Sequence, residues 1–393
     1  MRVALFSDTY LPDINGVVTS VETLRQGLVE MGHEVFVVTN HSSLLSLKYE
    51  NNILSLPGIE LKFLFDYNLS GPMNFTAYEI IKGMNLDVIH VHTEFGVGIF
   101  ARIVARMLDI PLVYTYHTTY EDYTHYVNFF NSKTFDKVAK KAVATLSKML
   151  SNPASILITP SQKTKSMLTR YGIQRPMHVI PTGIDLQRFD DSDLLAHQRK
   201  VIRHNYNISE EANVFIFVGR IAEEKNIQLI LNAFEKLVSA DHELYLLIVG
   251  SGPDLEGTKQ WISERGLTNQ IICTDRIENS QIAGYYHSAD AFVSASLTET
   301  QGLTYIEAMA CGLPIFASDM SVLVDLLYED ETGYLFEDEE TLINKVTYFT
   351  HLHSAKKDQI KLATRTTVKP YDARIFATSI SEVYQEAIDA FRT

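Results

Sequence analysis

The chain has 393 residues, of which 46% are hydrophobic and 21% are charged, so it is long enough for two globular domains with substantial cores. Its 34 basic and 48 acidic residues give a formal net charge of −14, which argues against bulk nucleic-acid binding. The charge is uneven, because residues 1–185 hold 16 basic and 16 acidic residues and the rest holds 18 and 32. The neutral N-terminal part can therefore approach an anionic surface through a local basic patch.

Cys273 and Cys311 are the only cysteines and both lie in apolar contexts, so neither a disulfide framework nor a zinc site is expected. This usage favours a reducing, cytosolic compartment. The apolar run at Met1–Asp8 is too short for a signal peptide. The sequence contains no stretch of about 18 apolar residues, so no transmembrane helix is expected.

Short β-rich runs alternate with helical periodicity along the chain, which predicts parallel sheets with helices on both faces. The predicted strands are Val3–Phe6, Val35–Val38, Val88–His92, Leu112–Tyr116 and Ile156–Thr159, then Val214–Val218, Leu244–Val249, Ile271–Cys273, Ala291–Ser294 and Ile315–Ala317. Two such sets imply two Rossmann-like domains facing across a cleft, with ligands outside the carboxyl ends of the strands. A (β/α)8 barrel is the alternative, but ten strands with a break near 185–212 suit it poorly.

The first strand–helix turn contains Asp13-Ile14-Asn15-Gly16-Val17. Gly16 would let the backbone approach a phosphate or a sugar closely, although an ordinary glycine in a turn explains it equally well. No G-x-G-x-x-G pattern is present here, so the fingerprint of a nicotinamide dinucleotide site is missing.

Histidines lie at or directly after the ends of the third and fourth predicted strands. His92-Thr93-Glu94 closes one, and Tyr116-His117-Thr118 closes the other. A histidine at the end of a buried parallel strand lies at the ligand-binding edge, and the alternative is a satisfied core histidine. His117 is therefore a candidate site residue.

Residues 133–150 are amphipathic at helical spacing, with an apolar stripe, a basic stripe and Asp136 as the only acidic residue. The apolar stripe is Phe135, Val138, Ala142, Leu146 and Met149, and the basic stripe is Lys133, Lys137, Lys140, Lys141 and Lys148. Such a helix can lie on an anionic membrane surface, where each lysine contributes roughly 1 kcal/mol. The alternative is a surface helix whose apolar stripe packs on the core.

The break after the fifth strand contains Pro181-Thr182-Gly183-Ile184-Asp185 and a polar stretch to Glu211. We place the domain boundary there. Residues 1–185 are then the N-terminal domain, residues 186–370 the C-terminal domain, and residues 371–393 a final helix.

The run FVGRIAEEKN at 217–226 leaves the first strand of the second set. Arg220 and Lys225 can both reach one diphosphate, the first as a planar fork and the second as a point charge. The alternative is a surface ion-pair cluster with Glu223 and Glu224.

The run ETQGLTYIE at 299–307 places two carboxylates eight positions apart. Glu299 is predicted on the loop after a strand, and Glu307 in the first turns of the next helix. Between them, the helix N-terminus at Gly302, Leu303 and Thr304 favours an anion. A nucleotide sugar fits this pattern, with its sugar and ribose hydroxyls on the carboxylates and its diphosphate on the helix end. The alternative is a pair of solvated helix-cap carboxylates.

This run resembles the E-x7-E motif of family 4 retaining glycosyltransferases, which have the GT-B fold. The resemblance implies that Glu299 binds hydroxyls of the donor sugar and that Glu307 binds the ribose. Residues 219–225 resemble the G-R-x4-K element of the family. That resemblance implies that Arg220 and Lys225 neutralise the leaving nucleoside diphosphate.

Gly16 and His117 match the family glycine that faces the donor phosphate and the family histidine near the reacting sugar. The extended run YHTTYEDYTHY at 116–126 looks like the segment of bacterial diacylglycerol glycosyltransferases that make membrane glycolipids, and HTEFG at 92–96 fits the same subgroup. Family relatives also imply that the final helix packs back on the N-terminal domain.

The resemblance therefore implies a hexosyltransferase that moves glucose from UDP-glucose to the hydroxyl of 1,2-diacylglycerol with retention. The N-terminal domain would bind the acceptor at the inner face of the cell membrane, and the C-terminal domain would bind the nucleotide sugar. Gly219 and the Gly302–Thr304 backbone would support the phosphates. No essential metal is expected.

Other functions remain open. The donor sugar can be galactose, and the acceptor can be an already glycosylated lipid, a small hydroxy acid or a glucan. A glycoside hydrolase would need its carboxylates to face each other across a sugar without a basic diphosphate clamp, so Arg220 and Lys225 argue against it. A non-catalytic nucleotide-sugar sensor is the remaining alternative.

Overall fold

The computed structural model describes residues 1–13, 15–42, 46–61, 67–117 and 133–392, without the side chains of 60–61, 67–69 and 133–138. The described chain divides into two compact units. The first comprises Met1–Gly183 and Ala373–Thr393, and the second comprises Ile184–Asp372. Each unit has its own sheet and its own core.

The first unit alternates strands and helices from its first residues. Its strands are β1 (Arg2–Phe6), β2 (Glu34–His41), β3 (Lys48–Glu50), β4 (Ile53–Leu61), β5 (Tyr67–Ser70), β6 (Val88–Val91), β7 (Leu112–Thr115), β8 (Ile156–Thr159) and β9 (Met177–Val179). Its helices before the second unit are α1 (Gly16–Glu30), α2 (Phe75–Gly83), α3 (Gly96–Leu108), α4 (Lys133–Ser151) and α5 (Gln162–Arg170).

Within the described residues these strands form a nine-stranded sheet in the order β3-β4-β2-β1-β6-β7-β8-β9, with β5 paired to β4. β3 and β5 run antiparallel to β4, and the other pairs are parallel. The central strands are buried on both faces, as their continuous apolar runs predict. The five strands predicted in this half are all present, whereas β3, β4, β5 and β9 were not predicted.

The second unit has a six-stranded sheet, all parallel, in the order β12-β11-β10-β13-β14-β15 among the described residues. Its strands are β10 (Asn213–Val218), β11 (Leu244–Val249), β12 (Ile271–Asp275), β13 (Ala291–Ser294), β14 (Ile315–Ala317) and β15 (Gly333–Leu335). Its helices are α6 (Asp193–Asn205), α7 (Ile227–Ala240), α8 (Leu255–Glu264), α9 (Ile282–Ser288), α10 (Leu303–Ala310), α11 (Glu339–Thr350) and α12 (Ser354–Thr367).

A buried arginine fixes the start of β10 beside the start of β13. Arg203, on α6, is fully buried, and its Nη2 lies 2.8 Å from Oδ2 of Asp290. The same carboxylate oxygen accepts a hydrogen bond from the backbone N–H of Val214, also at 2.8 Å. Nη1 donates to three carbonyls before β10, and Nε donates to the carbonyl of Ser288. Each nitrogen of the guanidinium therefore makes a hydrogen bond, as a buried ion pair requires.

The last helix, α13 (Ala373–Arg392), belongs to the first unit. It packs against α1 so closely that a Cβ on Gly27 would lie 2.5 Å from Cβ of Ala377. These two helices cover one face of the sheet, and α2, α3 and α5 cover the other. No helix among the described residues is both long and apolar enough to cross a membrane.

Candidate functional site

An ion pair joins the loops that follow two neighbouring strands of the second unit. Nζ of Lys225 lies 2.6 Å from Oε1 of Glu299 and 3.3 Å from Oγ of Ser296. The N–H of Leu297 donates to the carbonyl of Glu224 at 2.9 Å and ties the same two loops together. The Lys225 and Glu299 side chains are only 19% and 15% exposed, so solvent screens their attraction less than it would at an open surface.

Arg220 lies on the loop after β10 with a different partner. Its Nη1 is 4.0 Å from Oε1 of Glu224, and the arginine side chain is 47% exposed whereas the glutamate is 7% exposed. This contact is one of those that the alternative prediction, a surface ion-pair cluster with Glu223 and Glu224, included. Lys225 instead pairs with Glu299 on the next loop.

Two glycines that sequence analysis did not select shape this edge of the sheet. A Cβ on Gly250, after β11, would lie 1.9 Å from the carbonyl oxygen of Gly219. A Cβ on Gly252 would lie 2.1 Å from that of Ile221. The loops after β10 and β11 thus pack backbone against backbone on both sides of Arg220. The run Val249-Gly250-Ser251-Gly252-Pro253 directly after a strand is the signal that could have indicated this contact.

The helix after Glu299 begins at a strained position that suits glycine. Gly302 has a φ of +78°, and a Cβ there would lie 2.7 Å from the ring of Tyr305. That ring is buried against Phe292 of β13, with ring centroids 5.1 Å apart. The N–H groups of Leu303 and Thr304, in the first turn of α10, have no partner within the helix by geometry. Their half-buried position leaves them suited to an anion.

Glu307, on the second turn of α10, has a neutral partner. Its Oε2 accepts a hydrogen bond from the hydroxyl of Tyr286 on α9 at 2.9 Å. Burial raises the pKa of the Glu307 carboxyl, while the hydrogen bond from Tyr286 opposes that shift. The two glutamates of the 299–307 run thus lie in unlike surroundings, one beside an ammonium and one beside a phenol. The predicted pair of solvated helix-cap carboxylates is not what the structure contains.

In the first unit, Gly16 is the exposed first residue of α1. Oδ1 of Asn15 accepts hydrogen bonds from the N–H groups of Val17 and Val18, both at 3.0 Å. The Asn15 amide is itself held by Oγ1 of Thr9 at 2.9 Å. Asn15 therefore satisfies two of the backbone N–H donors at the start of α1. Gly16 precedes these two residues in the chain.

His117 follows β7 and belongs to a cluster of three imidazoles. Its Nε2 lies 3.1 Å from Nδ1 of His92, which follows β6, and the two rings stack with centroids 5.3 Å apart. The His90 ring lies 4.0 Å from that of His92. The predicted run at 116–126 lies outside the described residues beyond His117.

Burial governs the protonation of these imidazoles. It lowers the pKa of His117 to about 4, and it lowers the pKa values of His90 and His92 well below the ordinary range, with mutual repulsion adding to the effect. All three rings are therefore neutral near pH 7. Among the described residues, no group of three or more His, Cys, Asp or Glu side chains is arranged to hold a metal ion.

A buried carboxylate that sequence analysis missed connects β1 to α3. Oδ1 of Asp8 accepts the N–H of Val97 at 2.8 Å, and Oδ2 accepts the hydroxyl of Thr93 at 2.7 Å. Burial raises the pKa of Asp8, and these hydrogen bonds oppose the shift. Asp8 caps α3, whose N-cap residue Phe95 makes no side-chain cap hydrogen bond. No local pattern could indicate a cap supplied from 89 positions away.

The predicted basic helix is α4. Ser147, Leu150 and Ser151 form its buried face, whereas Met149 of the predicted apolar stripe is 61% exposed. Other described side chains of α4 are exposed or half-buried, among them Ala142, Leu146, Lys140, Lys141 and Lys148. The side chains of Lys133, Phe135, Lys137 and Val138 lie outside those that the structure describes. Within the described part of the predicted apolar stripe, Ala142 and Met149 are exposed and Leu146 is half-buried.

Comparison with known proteins places the chain in a family. The description "Glycosyltransferase Family 4" matches residues 14–188, and "Glycosyl transferases group 1" matches residues 198–366. The alpha-monoglucosyldiacylglycerol synthase of Acholeplasma laidlawii is 33% identical over 391 residues, which are 99% of this chain and 98% of the relative. The chain belongs to the family 4 glycosyltransferases. The protein of the same name from Streptococcus pneumoniae is 34% identical over 88% of this chain and 77% of the relative.

Solved structures confirm the GT-B fold expected for this glycosyltransferase. Sucrose-phosphate synthase from Thermosynechococcus elongatus matches with a TM-score of 0.76 at 20% identity, over 99% of both chains. The Anabaena protein HepE, solved in complex with UDP-glucose, matches with a TM-score of 0.74 at 15% identity, over 98% of this chain and 100% of its own. At such identities the likeness concerns the fold alone.

The neutral imidazoles of this glycosyltransferase predict a pH-dependent stability of its first unit. A histidine with a folded pKa near 4 and an unfolded pKa near 6.5 stabilises the fold fully above pH 6.5, and less as the pH falls from there toward 4. We expect the free energy of unfolding to fall between pH 7.5 and pH 5.5, and to fall less in His117→Asn. Urea titration followed by far-UV circular dichroism measures both.

The single tryptophan supplies an internal control, because Trp261 lies on α8 of the second unit. Its fluorescence transition should be the same in the wild type and in His117→Asn at each pH. An equal fall in circular-dichroism stability for both proteins would show that His117 does not cause the pH dependence.

Proposed function

We propose that this glycosyltransferase moves glucose from UDP-glucose to the free hydroxyl of 1,2-diacylglycerol, with retention of the anomeric configuration. The observation that carries the proposal is the 33% identity with an alpha-monoglucosyldiacylglycerol synthase over nearly the whole of both chains. A lipid acceptor is favoured over a soluble one by the exposed apolar and basic surface of α4.

The proposal assigns the nucleotide sugar to the second unit. Loss of UDP leaves negative charge on its phosphates as the glycosidic bond breaks, so donors and cations fixed beforehand favour the transition state. Lys225 and Arg220 would supply the cations, and the N–H groups of Leu303 and Thr304 the helix-end donors. Gly219 and Gly302 allow the backbone to approach the phosphates closely.

The two carboxylates would recognise hydroxyl groups. Glu299 is held in place by Lys225 and would accept hydrogen bonds from the glucose. Glu307, oriented through one oxygen by Tyr286, would accept them from the ribose. A site built to satisfy such hydroxyls discriminates strongly against analogues that lack them.

The acceptor would attack on the face of the sugar from which UDP leaves. In that mechanism the leaving phosphate takes the proton of the diacylglycerol hydroxyl, so no carboxylate nucleophile and no metal ion are required. For Gly16 and His117 the proposal keeps the roles that the family resemblance implies, contact with the donor phosphate and with the reacting sugar.

The first unit would bind the inner surface of the cell membrane through α4. Met149 is 61% exposed. Transfer of its side chain from water into an apolar environment would be favourable by roughly 1.5–3 kcal/mol. Lys141 and Lys148 are exposed on the same helix, and lysines attract anionic lipid headgroups. Other exposed apolar side chains lie in the same helical layer of the unit, on α2 and α3 or next to them: Phe75, Phe95, Ile99 and Met107.

Product analysis tests the proposed reaction directly. Radiolabelled UDP-glucose and vesicles containing diacylglycerol and an anionic lipid should yield a chloroform-soluble product that α-glucosidase cleaves. UDP-galactose serves as the matched control for the donor. Transfer of galactose alone would overturn the donor, and UDP release only with a soluble acceptor would overturn the lipid acceptor.

The donor assignment predicts the effect of breaking the Lys225–Glu299 pair. Lys225→Ala and Glu299→Ala should each lower kcat at least about 100-fold, the loss typical for a fixed group that stabilises transition-state charge. Lys236→Ala is the matched control, because Lys236 also lies 2.6 Å from a glutamate, Glu339, but is 68% exposed. Full activity in both site variants would exclude this donor site.

The membrane assignment predicts that α4 controls vesicle binding. Met149→Asp, and Lys141→Glu combined with Lys148→Glu, should each reduce flotation with anionic vesicles, and added salt should weaken the wild-type binding. Ile375→Asp is the control, since Ile375 is 50% exposed on α13, at the opposite face of the sheet. Unchanged flotation of both α4 variants would remove this helix from the membrane surface.

A further inference from the structure

His92 has a buried ring nitrogen without a partner. The side chain is 1% exposed, and Nε2 has no hydrogen-bond partner among the described residues. Its other nitrogen, Nδ1, lies 3.1 Å from Nε2 of His117. The two nitrogens of this one ring therefore lie in unlike surroundings, and that difference decides where the ring proton resides.

The neighbouring His90 holds the His92 ring in this position. Nδ1 of His90 lies 2.7 Å from the hydroxyl of Tyr384 on α13, and its Nε2 lies 2.7 Å from Oγ1 of Thr115. With both nitrogens engaged, His90 cannot turn to satisfy Nε2 of His92. The His92 ring is confined between the rings of His90 and His117, so the contact with His117 is fixed.

The contact between His92 and His117 needs one proton and one lone pair, because both rings are neutral near pH 7. If His92 carried its proton on Nε2, that N–H would be buried without an acceptor, and orphaned buried N–H groups are rarer than unsatisfied acceptors. The proton of His92 therefore belongs on Nδ1, from which it donates to Nε2 of His117. His117 must then carry its own proton on Nδ1.

We propose that His92 is a positioning residue that fixes His117 in its Nδ1–H tautomer, so that His117 presents a hydrogen-bond donor to a sugar or acceptor hydroxyl oxygen. In this state His117 is not the base that deprotonates the acceptor, because its only lone pair is occupied by His92. The consequence for catalysis rests on the proposed function, which assigns His117 to the reacting sugar. The assignment of the His117 tautomer does not depend on the proposed function.

The tautomer is measured on the free protein. In full-length protein labelled with 15N-histidine, multiple-bond 1H–15N spectra distinguish protonated from unprotonated ring nitrogens, and His92→Gln and His117→Asn assign the signals. Protonated Nδ1 and unprotonated Nε2 in His117 are expected. The reverse assignment, or a mixture of both tautomers, would overturn the proposal. Because no substrate is present, this result is independent of the proposed reaction.

Two amide substitutions separate positioning from packing. An asparagine amide replaces the Nδ1 end of a histidine, and a glutamine amide the Nε2 end. His92→Asn should keep the Nδ1–H tautomer of His117 and most of the activity. His92→Gln should lose the tautomer preference and lower kcat about tenfold, as loss of one directing hydrogen bond predicts, with KM for the nucleotide sugar unchanged.

Ser381→Ala is the matched control, since it removes a hydroxyl that lies 3.2 Å from Nε2 of another histidine of the first unit, His33, and leaves the contacts of His90, His92 and His117 intact. Its His117 tautomer should match that of the wild type. Equal losses of kcat and of thermal stability in His92→Asn and His92→Gln would reveal a packing role and contradict the proposal. If no donor and acceptor pair reacts at all, the proposed function fails and the spectra still decide the tautomer.

Discussion

Parallel strand pairing is the constraint on which the candidate residues of each unit depend. Because parallel strands end at the same edge of a sheet, residues far apart in the chain meet there. Lys225 and Glu299, 74 positions apart, lie 2.6 Å from each other because β10 pairs with β13. The buried Arg203–Asp290 pair at the other end of these strands also holds the N–H of Val214. It thereby stabilises the strand pair that carries the candidate site.

The charged and titratable candidate residues at these edges lie in unlike surroundings. Lys225 and Glu299 form an ion pair, whereas Glu307 accepts a hydrogen bond from the neutral hydroxyl of Tyr286, and burial raises the pKa of Glu307. In the first unit, burial lowers the pKa of His117 and keeps its ring uncharged near pH 7. In a site closed to water such groups need no reorganisation when charge develops on a substrate.

The sheet of the first unit has a helical layer on each face, and the two layers differ. The face covered by α1 and α13 is closed by close helix packing, as the contact between Gly27 and Ala377 indicates. The opposite layer contains α3 and α4, and it exposes Met107 and Met149 to solvent. The proposed partner of these exposed apolar side chains and of the lysines beside them is a lipid surface, from which the proposed acceptor would come.

The sequence by itself determined the alternation of strands and helices, the family, and the motif residues at 219–225 and 299–307, because buried parallel strands and their following loops have local patterns. It could not determine which side chains contact one another. The partner of Lys225, the cap that Asp8 supplies to α3 and the contact between His92 and His117 all join distant parts of the chain. Only the tertiary structure decided them, since strand order and burial, rather than local spacing, bring these groups within hydrogen-bond distance.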